Sequence, residues 1–306
     1  MTETSITTTP TPASQNIRWT GWAIAIGSTV AFSFATPLAR AAILLGITPS
    51  ALLAIRLTLT TFLLFGTILF GDAARLRIDR RGLGLCILAG AANGVGMLAY
   101  FSSLTRISSS IASVIFSLSP LALLALLALR GEKFTARNTA RLALGLGGVY
   151  LLIGPGGNVD FTGALLALAA VFTVPFQIVI MQWFLGDYDA RTVTLYMVGT
   201  MMAITVGAWL VEGAVWHDPG WQGWALVITL AVVSTYLARL MLFLSVRKIG
   251  GGQTGLLAPL ETLFTVVWSI LFLRERLMPV QWIGSSLIVL SAALAVERLW
   301  QVRWRK

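Results

Sequence analysis

Charge is scarce in this chain. Of 306 residues only 11 % are Asp, Glu, Lys or Arg, against about 25 % in an ordinary soluble domain. With 57 % hydrophobic residues and a mean hydropathy of +0.84, the deficit excludes a water-exposed globular surface and implies a lipid-facing one. Cysteine is nearly absent: Cys86 alone cannot build an internal disulfide framework. Histidine is equally rare, and His217 has no neighbouring ligand set for a metal. No H-E-x-x-H, no G-x-S-x-G and no phosphate-cradling loop occurs. These gaps argue against an enzyme, a metal or cofactor site and a nucleotide-driven pump. No filter-like segment suggests a channel. Acidic residues number 12 against 22 basic ones, and the net charge of +10 could suggest nucleic acid. The basic residues cluster between apolar stretches, however, which favours membrane orientation and no nucleic-acid partner.

The abundant feature is the long apolar run, and runs of roughly 20 residues are membrane-span candidates. The pattern predicts an all-α integral membrane protein of ten transmembrane helices, over 19–45, 49–70, 82–104, 108–129, 139–155, 161–185, 191–211, 221–246, 250–273 and 278–296. The fifth is short and glycine-rich. Residues 1–17, rich in Thr, Ser and Pro, read as a disordered tail without the basic region of a signal peptide. A basic cytoplasmic tail is expected over 298–306. With ten spans and the N-terminus in the cytoplasm, sixteen of the 22 basic residues fall on the cytoplasmic side. Only Arg106, Arg274 and Arg276 fall opposite, which predicts both termini inside.

Four prolines lie within predicted spans. Pro37 and Pro175 are 138 apart, and Pro120 and Pro259 are 139 apart. "RGEKF" follows the fourth span and "RERLM" the ninth. The offset predicts two five-helix repeats, 18–155 and 156–297, with the four prolines as hinges. Five is odd, so the second repeat enters from the opposite side, an arrangement typical of secondary transporters with a midplane site. Proline is also simply common in membrane helices.

Three stretches carry a family resemblance: "ITPSALLAIRLTLT" (47–60), "SPLALLALLALRGEKF" (119–134) and "LAPLETLFTVVWSILFLRERL" (257–277), with "QWIGSSLIVLSAAL" (281–294) beyond. The chain resembles the EamA-type family of the drug/metabolite transporter superfamily. That resemblance implies ten helices, a central cavity open to one side at a time, and export of small metabolites. One departure stands out: the family often has Glu-Pro in the ninth helix, whereas here Thr262 follows Glu261 and the proline precedes it, at Pro259.

Ionisable residues at membrane depth cost roughly 2.5–3.5 kcal/mol each at a helix centre and so mark candidate function. Four qualify: Arg40, Arg56, Arg239 and Glu261. Arg239 and Glu261 each lie eleven residues from a turn near Gly250, so at about 1.5 Å per residue both sit roughly 16 Å deep. They are expected to share a level as a gating or coupling pair, with protons as a possible coupled ion. A fixed salt bridge, or direct capture of a substrate ammonium by Glu261, fits the same residues. Arg40 and Arg56 flank the first turn symmetrically and suit an anion between them, unless both snorkel outward. Polar stripes (Thr29, Ser33, Thr36 and Arg40; Ser110, Ser113 and Ser117) could line a cavity or mediate packing, and "GAANG" (90–94) reads as packing. Asn93, Tyr100, Gln177, Tyr236 and Trp268 complete the substrate-binding candidates. The reading is a secondary transporter of the inner membrane, with lipid and a small-molecule substrate as its partners, exporting amino acids or similar amphiphilic solutes. The alternative is export of cationic or lipophilic drugs on Glu261.

Overall fold

A computed structural model describes residues 12–72, 77–128, 136–153, 159–185, 187–214, 216, 218–249 and 257–303. Among them the regular structure is entirely helical. In chain order the helices are α1 (Pro12–Ser33), α2 (Ala35–Leu44), α3 (Pro49–Asp72), α4 (Arg80–Ser103), α5 (Ser109–Phe116), α6 (Ser119–Ala128), α7 (Ala136–Ile153), α8 (Phe161–Phe184), α9 (Ala190–Val211) and α10 (Gly220–Ala231). A π-helical segment (Val232–Leu237) leads from α10 into α11 (Ala238–Ile249), followed by α12 (Ala258–Leu273) and α13 (Pro279–Arg303). Six stretches are long and apolar enough to cross a bilayer: Trp19–Leu44, Pro49–Phe70, Arg80–Ser103, Phe161–Met181, Arg191–Val211 and Gly220–Leu242. Ser109–Leu123, Pro259–Leu273 and Pro279–Ser291 are shorter apolar helices. Large apolar side chains such as Phe62, Phe70 and Trp221 stand exposed on this bundle, as lipid contact requires.

The helix starts follow local chemistry. Asp79, Asp160 and Asp189 each accept the amide N–H three residues on, at 3.2, 2.6 and 3.3 Å, and Ser108 accepts from Ile111 at 3.3 Å. These side chains satisfy donors that the first helical turn leaves orphaned.

Proline decides where two rods break. Its ring clashes with the carbonyl four residues back. Pro37 faces Ser33, the last residue of α1, and Pro120 faces Phe116, the last residue of α5. Both predicted single spans therefore break. Pro175 sits inside α8, which continues through it, and Pro259 occupies the first turn of α12, where a missing N–H is tolerated. Neither of these two breaks a described helix. The expected ninth span began at residue 250, and residues 250–256 lie outside the described residues. Helix α1 starts at Pro12, so residues 12–17 of the expected tail are helical, since proline suits a helix start. Residues 1–11 lie outside the description. Likewise α13 runs on to Arg303, through most of the expected basic tail.

Helix α4 packs on α8 and α9, α3 on α9, and α1 on α11 and α12. Helix α5 packs on α12, α6 on α8, and α7 on α13. Glycine permits the closest approaches. At Gly90 and Gly94, the motif read as packing, α4 meets the α9 backbone: a Cβ on Gly90 would lie 2.6 Å from the Met197 carbonyl oxygen. The glycine-rich fifth span has the same logic, because a Cβ on Gly148 of α7 would lie 2.7 Å from the Gly284 carbonyl oxygen of α13. One apolar core joins both halves of the chain, running from Ala39 and Leu52 through Ile115 and Ala167 to Leu230 and Ile288.

Candidate functional site

The π segment shapes the interior. An i→i+5 turn holds one residue more than an α turn, so faces beyond it rotate by about 100°. Thr235 in this segment donates its Oγ1–H to the Leu230 carbonyl at 2.9 Å, five residues back. Its hydroxyl oxygen accepts the Nε–H of Arg56 at 2.7 Å. Arg56 is 3 % exposed, lies with its Cζ 5.4 Å from the Phe101 ring centroid, and leaves Nη1 buried without a partner. Arg239 itself has a buried, unpartnered Nε. Two guanidinium groups thus share the interior with unmet donors. An orphaned buried donor costs about 1–3 kcal/mol, and more when charged.

Arg239 also lines a cavity of about 30 Å³, roughly one water molecule in size, with Gln177 and Met181 of α8 and Thr194, Met197, Val198 and Met201 of α9. Asn93 of α4 reaches the same cluster: its Nδ2 lies 3.6 Å from Met201 Sδ, while Oδ1 is buried and unpartnered. Gln177 makes a comparable weak contact with Met181 Sδ at 3.7 Å. The structure therefore brings Asn93, Gln177 and Arg239 together around the α9 methionines, while Arg56 is held on Thr235 and Phe101.

It separates others. No ion pair joins Arg239 to Glu261, and among the described residues neither has an ion-pair partner. Arg239, just beyond the π segment, faces the cavity beside α9, whereas Glu261 sits in the first turn of α12. Arg40 lies half-buried on α2, beyond the break at Phe34, whereas Arg56 lies buried on α3 and bonds Thr235 of the π segment.

Trp268 serves the same break. Opening the rod at Ser33 frees that carbonyl, which accepts from Thr265 Oγ1 at 3.1 Å. Ser33 Oγ accepts the indole N–H of Trp268 at 3.0 Å, and Trp268 stacks on Phe34 with centroids 4.7 Å apart. The indole is committed to bolting α1 to α12. Tyr100 is buried with its hydroxyl 3.2 Å from Thr36 Oγ1, and Tyr236 meets Thr67 Oγ1 at 2.8 Å on the α3 side. The serine stripe is buried, and Ser113 and Ser117 donate to carbonyls of their own rod at 2.9 and 2.7 Å.

Sequence reasoning passed over the acids at the bundle ends. Glu275, just after α12, accepts from the amide and hydroxyl of Ser109 at 2.8 and 2.7 Å. It accepts likewise from Ser110 at 3.0 and 2.6 Å. Its carboxylate thus caps the N-terminus of α5. At the same end Ser50, at the start of α3, donates to Glu212 at the close of α9, and Arg106 pairs with Asp160 at 3.6 Å. At the opposite end the Tyr188 hydroxyl donates to Asp79 at 2.7 Å. That bond holds the Asp79 carboxyl below its ordinary range and pushes the Tyr188 phenol up. Each contact joins the first half of the chain to the second. In one dimension only Glu275 is marked, by its place in RERLM, which repeats RGEKF; the other acids follow or precede a span as ordinary loop residues would.

An apolar groove of about 420 Å³ lies beside α2 and α10, lined by Ala41, Leu44, Leu45, Trp221 and Leu226, away from the buried arginines.

Comparison with known proteins matches the EamA-like transporter family twice along the chain, over residues 19–154 and 161–296. A protein of Archaeoglobus fulgidus named as an uncharacterized transporter is 22 % identical over 219 residues, covering 72 % of this chain and 77 % of that protein. A solved crystal structure of a protein superposes with a TM-score of 0.62 at 22 % identity, covering 91 % of this chain and 97 % of that one, which is a likeness of fold.

Proposed function

The chain belongs to the EamA-like transporter family, within the drug/metabolite transporter superfamily, and is a two-repeat membrane transporter; from that premise we propose that it is a secondary active exporter of small polar metabolites. Amino acids and related amphiphilic solutes are the substrates this reading favours, moved by alternating access from a site between the halves. The single observation that carries it is the set of interior polar atoms from both repeats without partners: Nη1 of buried Arg56, Oδ1 of buried Asn93, and Nε of Arg239 beside the small cavity that Gln177 also lines. Burying such groups against lipid would be costly, and a polar solute or water offsets that cost.

Ten spans in two inverted repeats fit the helix contacts. Counting α1–α2, α5–α6 and α10–α11 as single broken rods, exchanging the halves maps the third–sixth contact (α4 on α8) onto the eighth–first contact (α11 on α1). It maps α6 on α8 onto α1 on α12. The contacts α3 on α9, α5 on α12 and α7 on α13 map onto themselves. The sixteen-to-three distribution of basic residues supports both termini in the cytoplasm of an inner membrane. The contacts of Glu275, Glu212 and Arg106 then lie at the outer end and that of Asp79 at the inner end. Glu261, without an ion-pair partner among the described residues, is free to carry a proton-coupling role.

Counterflow in liposomes tests this function. Proteoliposomes preloaded with unlabelled amino acids should take up the labelled solute faster than empty ones and in a saturable manner, and Glu261→Gln should abolish the dependence of uptake on a pH gradient. Exchange of quaternary amines without exchange of amino acids would move the assignment to drug export. Absence of any exchange across amino acids, organic acids and amines would remove the transport reading.

A further inference from the structure

We propose that Glu275 is a releasable latch of the transport cycle: its carboxylate ties the start of α5 to the end of α12, holds that end of the bundle shut, and lets go when the pathway opens there. The inference rests on the transport reading above and assigns a positioning residue to one of its gates.

The contact joins the two repeats and is made of hydrogen bonds. Glu275 accepts from the amides of Ser109 and Ser110 at 2.8 and 3.0 Å and from their hydroxyls at 2.7 and 2.6 Å. Both serines are buried. The carboxylate sits on the first turn of α5, where the helix presents partial positive charge. The other two clasps at this end are smaller. Arg106 and Asp160 meet at 3.6 Å with side chains 50 % and 40 % exposed, and pairs so exposed hold little. Ser50 gives Glu212 a single hydrogen bond. Glu275 is therefore the main polar tie between the halves at this end.

Each side of the latch has a means of moving. Helix α5 is eight residues long, and the break at Pro120 separates it from α6, so it can tilt about that break as a short rod. On the other side α12 ends at Arg274, with φ 51° and ψ 32°, a left-handed conformation that is strained for a residue with a side chain. Such strain persists only where the surroundings hold it, and it clusters at switch regions. Here the hydrogen bonds on the next residue, Glu275, hold it, and Arg274 relaxes when they break. The latch also reaches inwards. Ser109 Oγ donates to Ser269 Oγ at 2.8 Å, and Ser269 Oγ donates to the carbonyl of Thr265, the residue that grips α1 at Ser33.

Spin-label distances in the purified full-length protein test the latch. The labels go on Thr105→Cys and Arg276→Cys, exposed residues on either side of it, with Cys86→Ala removing the native thiol. With Glu275 in place the pair should give one short distance. Glu275→Gln should raise a longer-distance population at least tenfold. Arg274→Gly added to Glu275→Gln should lower that population several-fold, because glycine removes strain from the latched state alone. A cap that takes no part in movement would leave one distance in all three proteins. Bridging the two cysteines with a short bis-methanethiosulfonate reagent should stop counterflow in the liposome assay, and reductant should restore it. That arm keeps Glu275 and so does not depend on how its variants fold. A single distance in Glu275→Gln, a rise in the longer population on adding Arg274→Gly, or counterflow at the unbridged rate in the bridged protein would each overturn the latch. The first of these with counterflow intact leaves transport standing. A longer-distance population in Glu275→Gln, when the wild type exchanges no solute, keeps the latch and sinks the transport reading.

Discussion

Replacing Glu275 by Gln tests how the two halves are held at the end where α5 begins. The carboxylate takes four hydrogen bonds, two on each oxygen, from the amides and hydroxyls of Ser109 and Ser110. A carboxylate only accepts, so both amides and the Ser110 hydroxyl are matched, while the Ser109 hydroxyl is shared with Ser269 Oγ at 2.8 Å. Glutamine keeps one accepting oxygen and sets an NH₂ group where two donors converge. A serine hydroxyl can turn and accept instead, but a backbone N–H cannot. One orphaned N–H costs about 1–3 kcal/mol. Losing the negative charge at the α5 N-terminus adds about 0.3–1 kcal/mol. The sum is about 2–3 kcal/mol near the middle of these ranges, which at roughly 2–4 °C per kcal/mol lowers the melting temperature by about 5–10 °C. Tryptophan fluorescence of the detergent-solubilised protein at one fixed heating rate measures it, since irreversible unfolding makes the midpoint rate-dependent. Ser110→Ala removes one donor from the same oxygen, so the two substitutions should be less than additive when combined. A Glu275→Gln protein that melts with the wild type, or full additivity with Ser110→Ala, would refute the reasoning.

Three further outcomes follow from the packing and the caps. Gly90→Val should drive α4 from α9, because its Cβ would press on the Met197 carbonyl oxygen at 2.6 Å, where backbone cannot yield. The expected loss is about 1–3 kcal/mol or failure to accumulate, whereas Gly84→Ala, with nothing within 4 Å, should be neutral or stabilising by about 0.5–1 kcal/mol in the same melting assay. Thr265→Val removes the hydroxyl that the Ser33 carbonyl shares with the Glu261 carbonyl and should cost about 0.5–1.5 kcal/mol, whereas Trp268→Phe loses both the indole hydrogen bond and ring area stacked on Phe34 and Phe272 and should cost about 1.5–3 kcal/mol. Tyr188→Phe should matter through pH. The Asp79 carboxyl is depressed in the folded protein, so its contribution is present above the ordinary value of 3.8 and is lost as pH falls through the folded value. The Tyr188 phenol is raised, so its contribution is present below the ordinary value of 10.0 and is lost as pH climbs through the folded value. Melting curves against pH should therefore show the wild type gaining over Tyr188→Phe between these limits and the difference closing beyond them.

The membrane class, the limits of the six long apolar spans and the doubling of the chain are properties of hydropathy and spacing, and these the sequence determines alone. A run of apolar residues has the same length and burial requirement whatever it packs against. The shortlist of Arg40, Arg56, Arg239 and Glu261 came the same way, since charge at depth is costly in any fold. Their pairing did not. Depth along straight rods put Arg239 with Glu261 and Arg40 with Arg56, but side-chain direction depends on every residue of helical phase between turn and charge. The Pro37 break and the π segment at 232–237 both change that phase. The break could be anticipated from proline. The π turn could not, because Val-Val-Ser-Thr-Tyr-Leu carries no local signal for an i→i+5 turn, which here is held by Thr235 and by the Arg56 side chain of another rod. Tertiary structure alone decided that Arg56 bonds the π segment at Thr235, that Trp268 bolts a broken helix, and that Glu275 and Glu212 clasp the opposite half. Each is a contact between residues distant along the chain, and the geometry of such contacts is set only when the rods pack.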